Sequence, residues 1–230
     1  MNSTLSSFAD EIYALQIEFI LESYEYSVQV RANAAIGMML ERVDELVATG
    51  EPITDKQLEK AAAPLNDVLS TELGQAMVET QAALREVAAR QGDVVPVAPF
   101  FTAGTLMRQA EMDGTPMSEW FKRRSPSKWM QGLIREVQKG IEAGWERHRS
   151  ATEQMSRRLA ATAIETGLWS HSANTLINNW TAKEFRHVTR QDELVCEICG
   201  PRQGAIFSGA SNGPPLHPRC RCIAVPVSAG

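Results

Sequence analysis

The sequence predicts a mainly α protein: a helical N-terminal region and a helical middle region, followed by a small α+β C-terminal module. Three observations lead there. Apolar residues recur at three- and four-residue steps through most of the chain. A Pro/Gly-rich span near residue 95 interrupts that rhythm. All four cysteines, with one of the four histidines, fall in the last thirty-five residues.

From Ser7 to Gly50 the pattern Ile12, Leu15, Phe19, then Val28, Ala32, Ala35, Met39, Val43 and Leu46 predicts a helix stopped by Gly50-Glu51-Pro52. Thr54 is placed to cap the next helix, and Pro64 either kinks that helix or opens another running through Leu69, Leu73, Met77, Leu84 and Val87. Residues 1–91 therefore form an acidic helical region. Residues 92–101, with Pro96 and Pro99, are too rich in proline for a central strand and are read as a linker.

The third region, 102–230, begins with helical stretches at Thr102–Met112 and Met117–Arg123. A stripe of Trp129, Leu133, Val137, Ile141 and Trp145 then predicts an amphipathic helix over Ser127–Arg149. Another helix is expected from Ala151 through Met155, Leu159, Ala163 and Leu168 toward Trp180, with Gly167 as a point of interruption. Strands are expected at Phe185–Thr189 and Ile223–Val227, bounding a knuckle over 185–227.

The chain of 230 residues carries a formal net charge of −5, distributed unevenly. Residues 1–100 hold 16 acidic and 6 basic side chains, whereas residues 101–230 hold 12 and 17, together with all five tryptophans. A basic second part is suited to lie near nucleic acid or an acidic protein surface, although a solvated mixed surface explains the same count. The polar start, Met1–Asp10, has no secretory signal, and no apolar run is long enough to span a bilayer, so reduced thiols are expected.

The chemistry is concentrated in Cys196-Glu-Ile-Cys199 and His217-Pro-Arg-Cys220-Arg-Cys222. A Cys-x-x-Cys turn presents two soft ligands from one tight loop, and His217 with Cys220 repeats the two-residue gap. Cys222 is a fifth candidate for four tetrahedral places and is able to replace Cys220 or His217. The expected cofactor is one structural zinc ion bound by Cys196, Cys199 and two of the other three, with His217 and Cys220 favoured. Two disulfides would consume the same four cysteines. A thioredoxin-like redox motif would need a βαβ context that the sequence before Cys196 does not offer.

The string Asp192-Glu-Leu-Val-Cys196-Glu-Ile-Cys199-Gly-Pro-Arg-Gln-Gly204, followed by Gly213-Pro-Pro-Leu-His217-Pro-Arg-Cys220-Arg-Cys222, resembles the motif of the phage Mu F-like minor head protein family. Upstream, Gly114-Thr-Pro-Met-Ser-Glu-Trp120, Gln138-Lys-Gly140 to Gly144 and Ala163-Ile-Glu-Thr166-Gly167 are similar to that family's helical lead into the zinc segment. The resemblance leaves residues 1–90 uncovered. It implies a non-enzymatic minor structural protein of a tailed-phage head, near the portal vertex of the virion after assembly in the host cytoplasm. The implied action is in head assembly or in genome packaging and ejection. Its implied partners are the portal protein, the major capsid protein and packaged DNA, with more than one copy per virion allowed and no membrane.

Two other functions use the same residues. A treble-clef nuclease would need His187 as a base beside Glu184 and Asp192. A nucleic-acid adaptor would contact phosphate through Arg202, Arg219 and Arg221, although Arg221, between two candidate ligands, is also placed to hydrogen-bond carbonyls or thiolates.

Overall fold

The computed structural model describes residues 2–90, 101–112, 114–121, 128–180, 182–190, 195–209 and 212–227. Helix α1 (Asn2–Ala48) is 47 residues long, about 70 Å at 1.5 Å per residue. It stops where the sequence said it would: Gly50, at φ 68°, takes the left-handed conformation that closes a helix end, and its N–H donates to the Val47 carbonyl at 3.1 Å. Thr54 caps α2 (Asp55–Asp67) in a reciprocal capping box, its backbone N–H donating to Gln57 Oε1 at 2.9 Å.

Pro64 sits inside α2, and the chain then loosens into a π-helical turn at Val68–Glu72 before resuming as α3 (Leu73–Arg90). Proline removes one backbone donor and crowds the preceding turn, which a wider turn accommodates. The chain doubles back on α1, as the cross-links Arg42 to the Lys60 carbonyl and Arg31 to Glu72 show.

Thr102 caps the short α4 (Ala103–Gln109), which gives way to a two-stranded hairpin, β1 (Glu111–Met112) with β2 (Thr115–Pro116). The helix expected to reach Met112 thus ends three residues early. Helix α5 (Met117–Trp120) follows.

Helix α6 (Lys128–Glu165) departs from expectation in its break: the interruption lies at Gly144 (φ 102°, ψ 97°), not near Arg149. Only glycine adopts that geometry without strain. Of the expected stripe, Leu133, Val137 and Trp145 are buried and Ile141 packs against the core, while the Trp129 side chain lies outside the described residues.

Beyond Glu165 the helix widens into a π segment, Thr166–Ala173, and ends as α7 (Asn174–Asn178). Gly167 belongs to this segment, and its role is close approach. A Cβ there would stand 3.2 Å from Met77 Sδ and 3.3 Å from Leu73 Cδ1 on α3. Ser172 Oγ donates to the Met77 carbonyl at 2.8 Å across the same contact.

The C-terminal sheet has three antiparallel strands in the order β4-β3-β5, namely Ile206–Phe207, Phe185–Val188 and Ile223–Pro226. Strand β4 was not anticipated, being only two residues long. Gly213 is fixed by that strand: a Cβ there would fall 2.5 Å from Phe207 Cε2.

A single apolar cluster runs from Tyr13 to Val225 and takes residues from both the 1–91 and 102–230 regions. Helix α6 lies antiparallel to α1. Trp145 Nε1 donates to Asp44 Oδ1 and Trp169 Nε1 donates to Glu25 Oε2, each at 2.6 Å, and Trp180 meets Tyr13 edge-on at 5.6 Å between centroids. Trp145, Trp169 and Trp180, three of the five tryptophans that mark the second region, are thus held by α1 of the first. The linker expected at 92–101 lies outside the described residues, apart from Phe101, which is buried. Among the described residues, no helix is long and apolar enough to cross a membrane.

Candidate metal centre

The loop after β3 and the stretch before β5 bring all five candidate ligands together. Cys196, Cys199 and His217 form one set, and Cys199, Cys220 and Cys222 another, with ligand atoms within 4.8 Å of one another in each. Cys199 belongs to both. His217 Nε2 stands 3.1 Å from the sulfurs of both Cys196 and Cys199, and Cys199 Sγ stands 3.9 Å from Cys220 Sγ. A tetrahedron with metal–sulfur bonds of about 2.3 Å has sulfur–sulfur edges of about 3.8 Å. The sulfurs are not joined: all four cysteines are free thiols, and 3.9 Å far exceeds a disulfide bond of about 2.05 Å.

Local backbone chemistry sets this geometry. The N–H groups of Cys199 and Gly200 both donate to the Cys196 carbonyl, and the Cys199 N–H also reaches Cys196 Sγ at 3.4 Å, so the Cys-x-x-Cys turn aims both sulfurs inward. On the other side, the Cys220 N–H donates to the His217 carbonyl at 3.1 Å. Arg219 between them is a non-glycine residue at φ 63°. That conformation costs on the order of 1 kcal/mol, offset here by two hydrogen bonds from its guanidinium to Glu165, at 2.6 and 3.1 Å. Glu165, at the end of α6, thus holds the turn in the shape that points His217 and Cys220 the same way.

The imidazole is oriented for ligation. His217 Nδ1 lies 2.6 Å from the Pro218 carbonyl and must donate to it, which leaves Nε2 with its lone pair toward the cysteines.

The thiols are unequal. Burial resists ionisation of Cys196, but hydrogen bonds from the Cys199 backbone outweigh it and hold the thiol below its ordinary value. Burial pushes Cys199 up. The Cys222 thiol donates to Cys220, drawing Cys220 down and holding Cys222 itself up. Several thiolates this close cannot coexist without a cation among them. The cluster is therefore a site that could hold a metal ion.

The layer around the ligands is what sequence reasoning missed. Trp169, fully buried in the π segment, lies beneath the knuckle with the guanidinium of Arg221 5.2 Å and that of Arg190 5.5 Å from its ring centroid. Arg190 is also ion-paired with Glu22 of α1, and Ser170 Oγ donates to the Cys220 carbonyl at 3.0 Å. Gln203 Oε1 accepts from both the N–H and the hydroxyl of Thr189, closing the loop onto β3. No sequence signal links Glu22, Glu25 and Glu165 to residues some 50 to 170 positions away, because helix periodicity reports only local neighbours.

Most of the residues behind the alternative functions are buried or committed within the fold. His187 on β3 is 2% exposed, edge-on to Phe207, with neither ring nitrogen hydrogen-bonded. Burial, with the Arg202 charge, holds it below its ordinary value and hence neutral. It belongs to neither metal-ligand set, and Asp192 lies outside the described residues. Arg219 is committed to Glu165 and Arg221 stacks on Trp169, while Arg202 is exposed.

The fold and the site together define a mainly helical protein with a small C-terminal sheet and a Cys/His cluster of metal-binding type. Comparison with protein-family models, curated proteins and solved structures finds no match for this chain.

Proposed function

We propose that this protein is a non-enzymatic minor structural component of a tailed-phage head, with its C-terminal module stapled by one structural zinc ion. The observation that carries the reading is the convergence of the Cys196–Cys222 ligands, in a segment resembling the Mu F-like motif, into a closed cluster seated on the helical core. Zinc is the ion that suits three thiolates and one imidazole in a tetrahedron. Cys196, Cys199, His217 and Cys220 are the ligands. Cys222, buried beside Cys199 and Cys220, is the fifth donor of the cluster and stands outside the proposed ligand set. Four protein ligands leave no open position for a catalytic water.

The arginines add support for a structural role over a phosphate-reading one, since Arg219 and Arg221 are engaged within the protein. A nuclease would need an accessible base, and His187 is buried. The portal protein and major capsid protein are the proposed partners, with packaged DNA close by.

Two measurements test the reading. Elemental analysis of protein purified without chelator should give one zinc per chain, and a folded, metal-free, disulfide-bonded chain would overturn the zinc assignment. Crosslinking mass spectrometry on intact particles should connect this chain to the portal protein. Absence from particles, or metal-dependent cleavage of DNA by the purified protein, would overturn the structural role.

A further inference from the structure

Helix α1 is apolar on two opposite faces. One, with Ile17, Leu21, Val28 and Ala32, is buried in the core. The other carries Ile12, Leu15, Phe19, Tyr26 and Val30, of which Leu15, Phe19 and Tyr26 are 62%, 72% and 74% exposed. The steps between these five are three, four, seven and four residues, which keep them on one face of the helix, with Glu22 beside the gap between Phe19 and Tyr26. At 100° per residue they fall within an arc of about 60° and extend over about 27 Å. Isolated exposed apolar side chains are ordinary, but a continuous stripe opposite a buried face is the mark of a helix that awaits a cover.

The margins of the stripe say what the cover is. Glu11, Glu18 and Glu22 lie along one side; the Glu22 side chain remains 45% exposed although it pairs with Arg190. The other side presents the small polar residues Gln16, Ser23 and Ser27. A second copy of this chain would bring a like-charged rim and a like-charged N-terminal region toward the first. An amphipathic helix with apolar residues in its seam and Lys or Arg beside it would meet both features with complementary ones.

We propose that the exposed stripe Ile12–Val30 of α1 is a docking face for a basic amphipathic helix of a partner protein. The inference rests on α1 alone and is independent of the phage assignment.

The test uses the full chain and a labelled 21-residue synthetic helical peptide, with Leu and Ile at the a and d positions and Lys at e and g. A control peptide carries Glu in place of Lys. Fluorescence anisotropy should show the Lys peptide binding at least tenfold more tightly than the Glu peptide. The Leu15→Glu/Phe19→Glu variant should lose at least tenfold in affinity while keeping its helical circular dichroism. Should that variant misfold, Leu15→Gln/Phe19→Ser provides the same comparison with less charge. Binding unaffected by both variants, or no binding by the Lys peptide, overturns the proposal. So does a dimer of the wild-type chain in sedimentation that Phe19→Ser dissociates, since the occupant would then be a second copy.

Discussion

Replacing Trp169 with Phe should weaken the protein in a way that depends on pH. The indole Nε1–H donates to Glu25 Oε2 at 2.6 Å, and a hydrogen bond to a carboxylate contributes about 1.5–3 kcal/mol. The smaller ring forfeits about 1 kcal/mol of buried apolar contact, and its weaker face loses roughly 0.5–1 kcal/mol against Arg190 and Arg221. A total of about 3–5 kcal/mol would lower the urea midpoint by about 1–1.7 M, for an m-value of about 3 kcal/mol/M. Burial holds the Glu25 carboxyl above its ordinary value, and the Trp169 hydrogen bond opposes that rise. A raised acid stabilises the fold below its ordinary value, near 4.5, and loses that contribution as pH climbs through the folded value. Without the indole the folded value rises further, so the deficit of the variant is larger at pH 7.5 than at pH 5. The difference is about 1.4 kcal/mol for each unit of added rise. The assay is urea unfolding by circular dichroism at both pH values, in wild type, Trp169→Phe, Glu25→Gln and the double variant. A pH-independent deficit, together with additive single effects, would refute the coupling of the knuckle platform to α1.

Three further outcomes are expected. Cys222→Ser should retain one metal ion per chain, whereas Cys220→Ala should lose it or bind it at least a hundredfold more weakly, as read by chelator competition. Gly167→Leu should destabilise by about 1–3 kcal/mol in urea melts, because its side chain enters space already filled by Met77 and Leu73. A fragment beginning at Thr102 should show lost helicity and molten-globule dye binding even with metal present, because the apolar cluster includes Ile17, Leu21, Leu69 and Met77 from the missing part; a cooperative, native-like fragment would show that the shared core is dispensable.

What could be read from the sequence was whatever depends on near neighbours. The cap at Thr54, the helix start at Thr102, the stop at Gly50, the strands around Phe185 and Ile223 and the gathering of Cys196, Cys199, His217, Cys220 and Cys222 all follow from residue type and short spacing. The phase of α1 did not. Ile12, Leu15 and Phe19 predict helix just as Val28 and Ala32 do, but they lie on the opposite side of the helix and are exposed. Periodicity detects a stripe without saying which of two stripes is covered. The buried face of α6 beyond Gly144 is made largely of small side chains. Met155 and Leu159 of the expected run are only partly buried, whereas Ala163 and Leu168 of the same run are buried, together with Thr152, Ser156 and Ala160. Small side chains allow close helix approach but carry little hydrophobic signal.

The position of the knuckle follows from these close approaches. Gly167 brings the π segment against α3, and that segment presents Trp169 and Ser170 to the cysteine loop. The wider π turn keeps Gly167, Trp169, Ser170 and Ser172 all buried against different neighbours: α3, α1, the knuckle and α3 again. One short segment is thus the junction at which the core, the long N-terminal helix and the metal-binding loop are mutually fixed. The Arg219–Glu165 and Arg221–Trp169 contacts lead from the cysteine loop to the helical core and, through the Trp169–Glu25 hydrogen bond, to α1. An ion that binds the folded cluster and not the unfolded chain stabilises the whole shared core, so the expected outcome is a urea midpoint that rises with added zinc in the full chain.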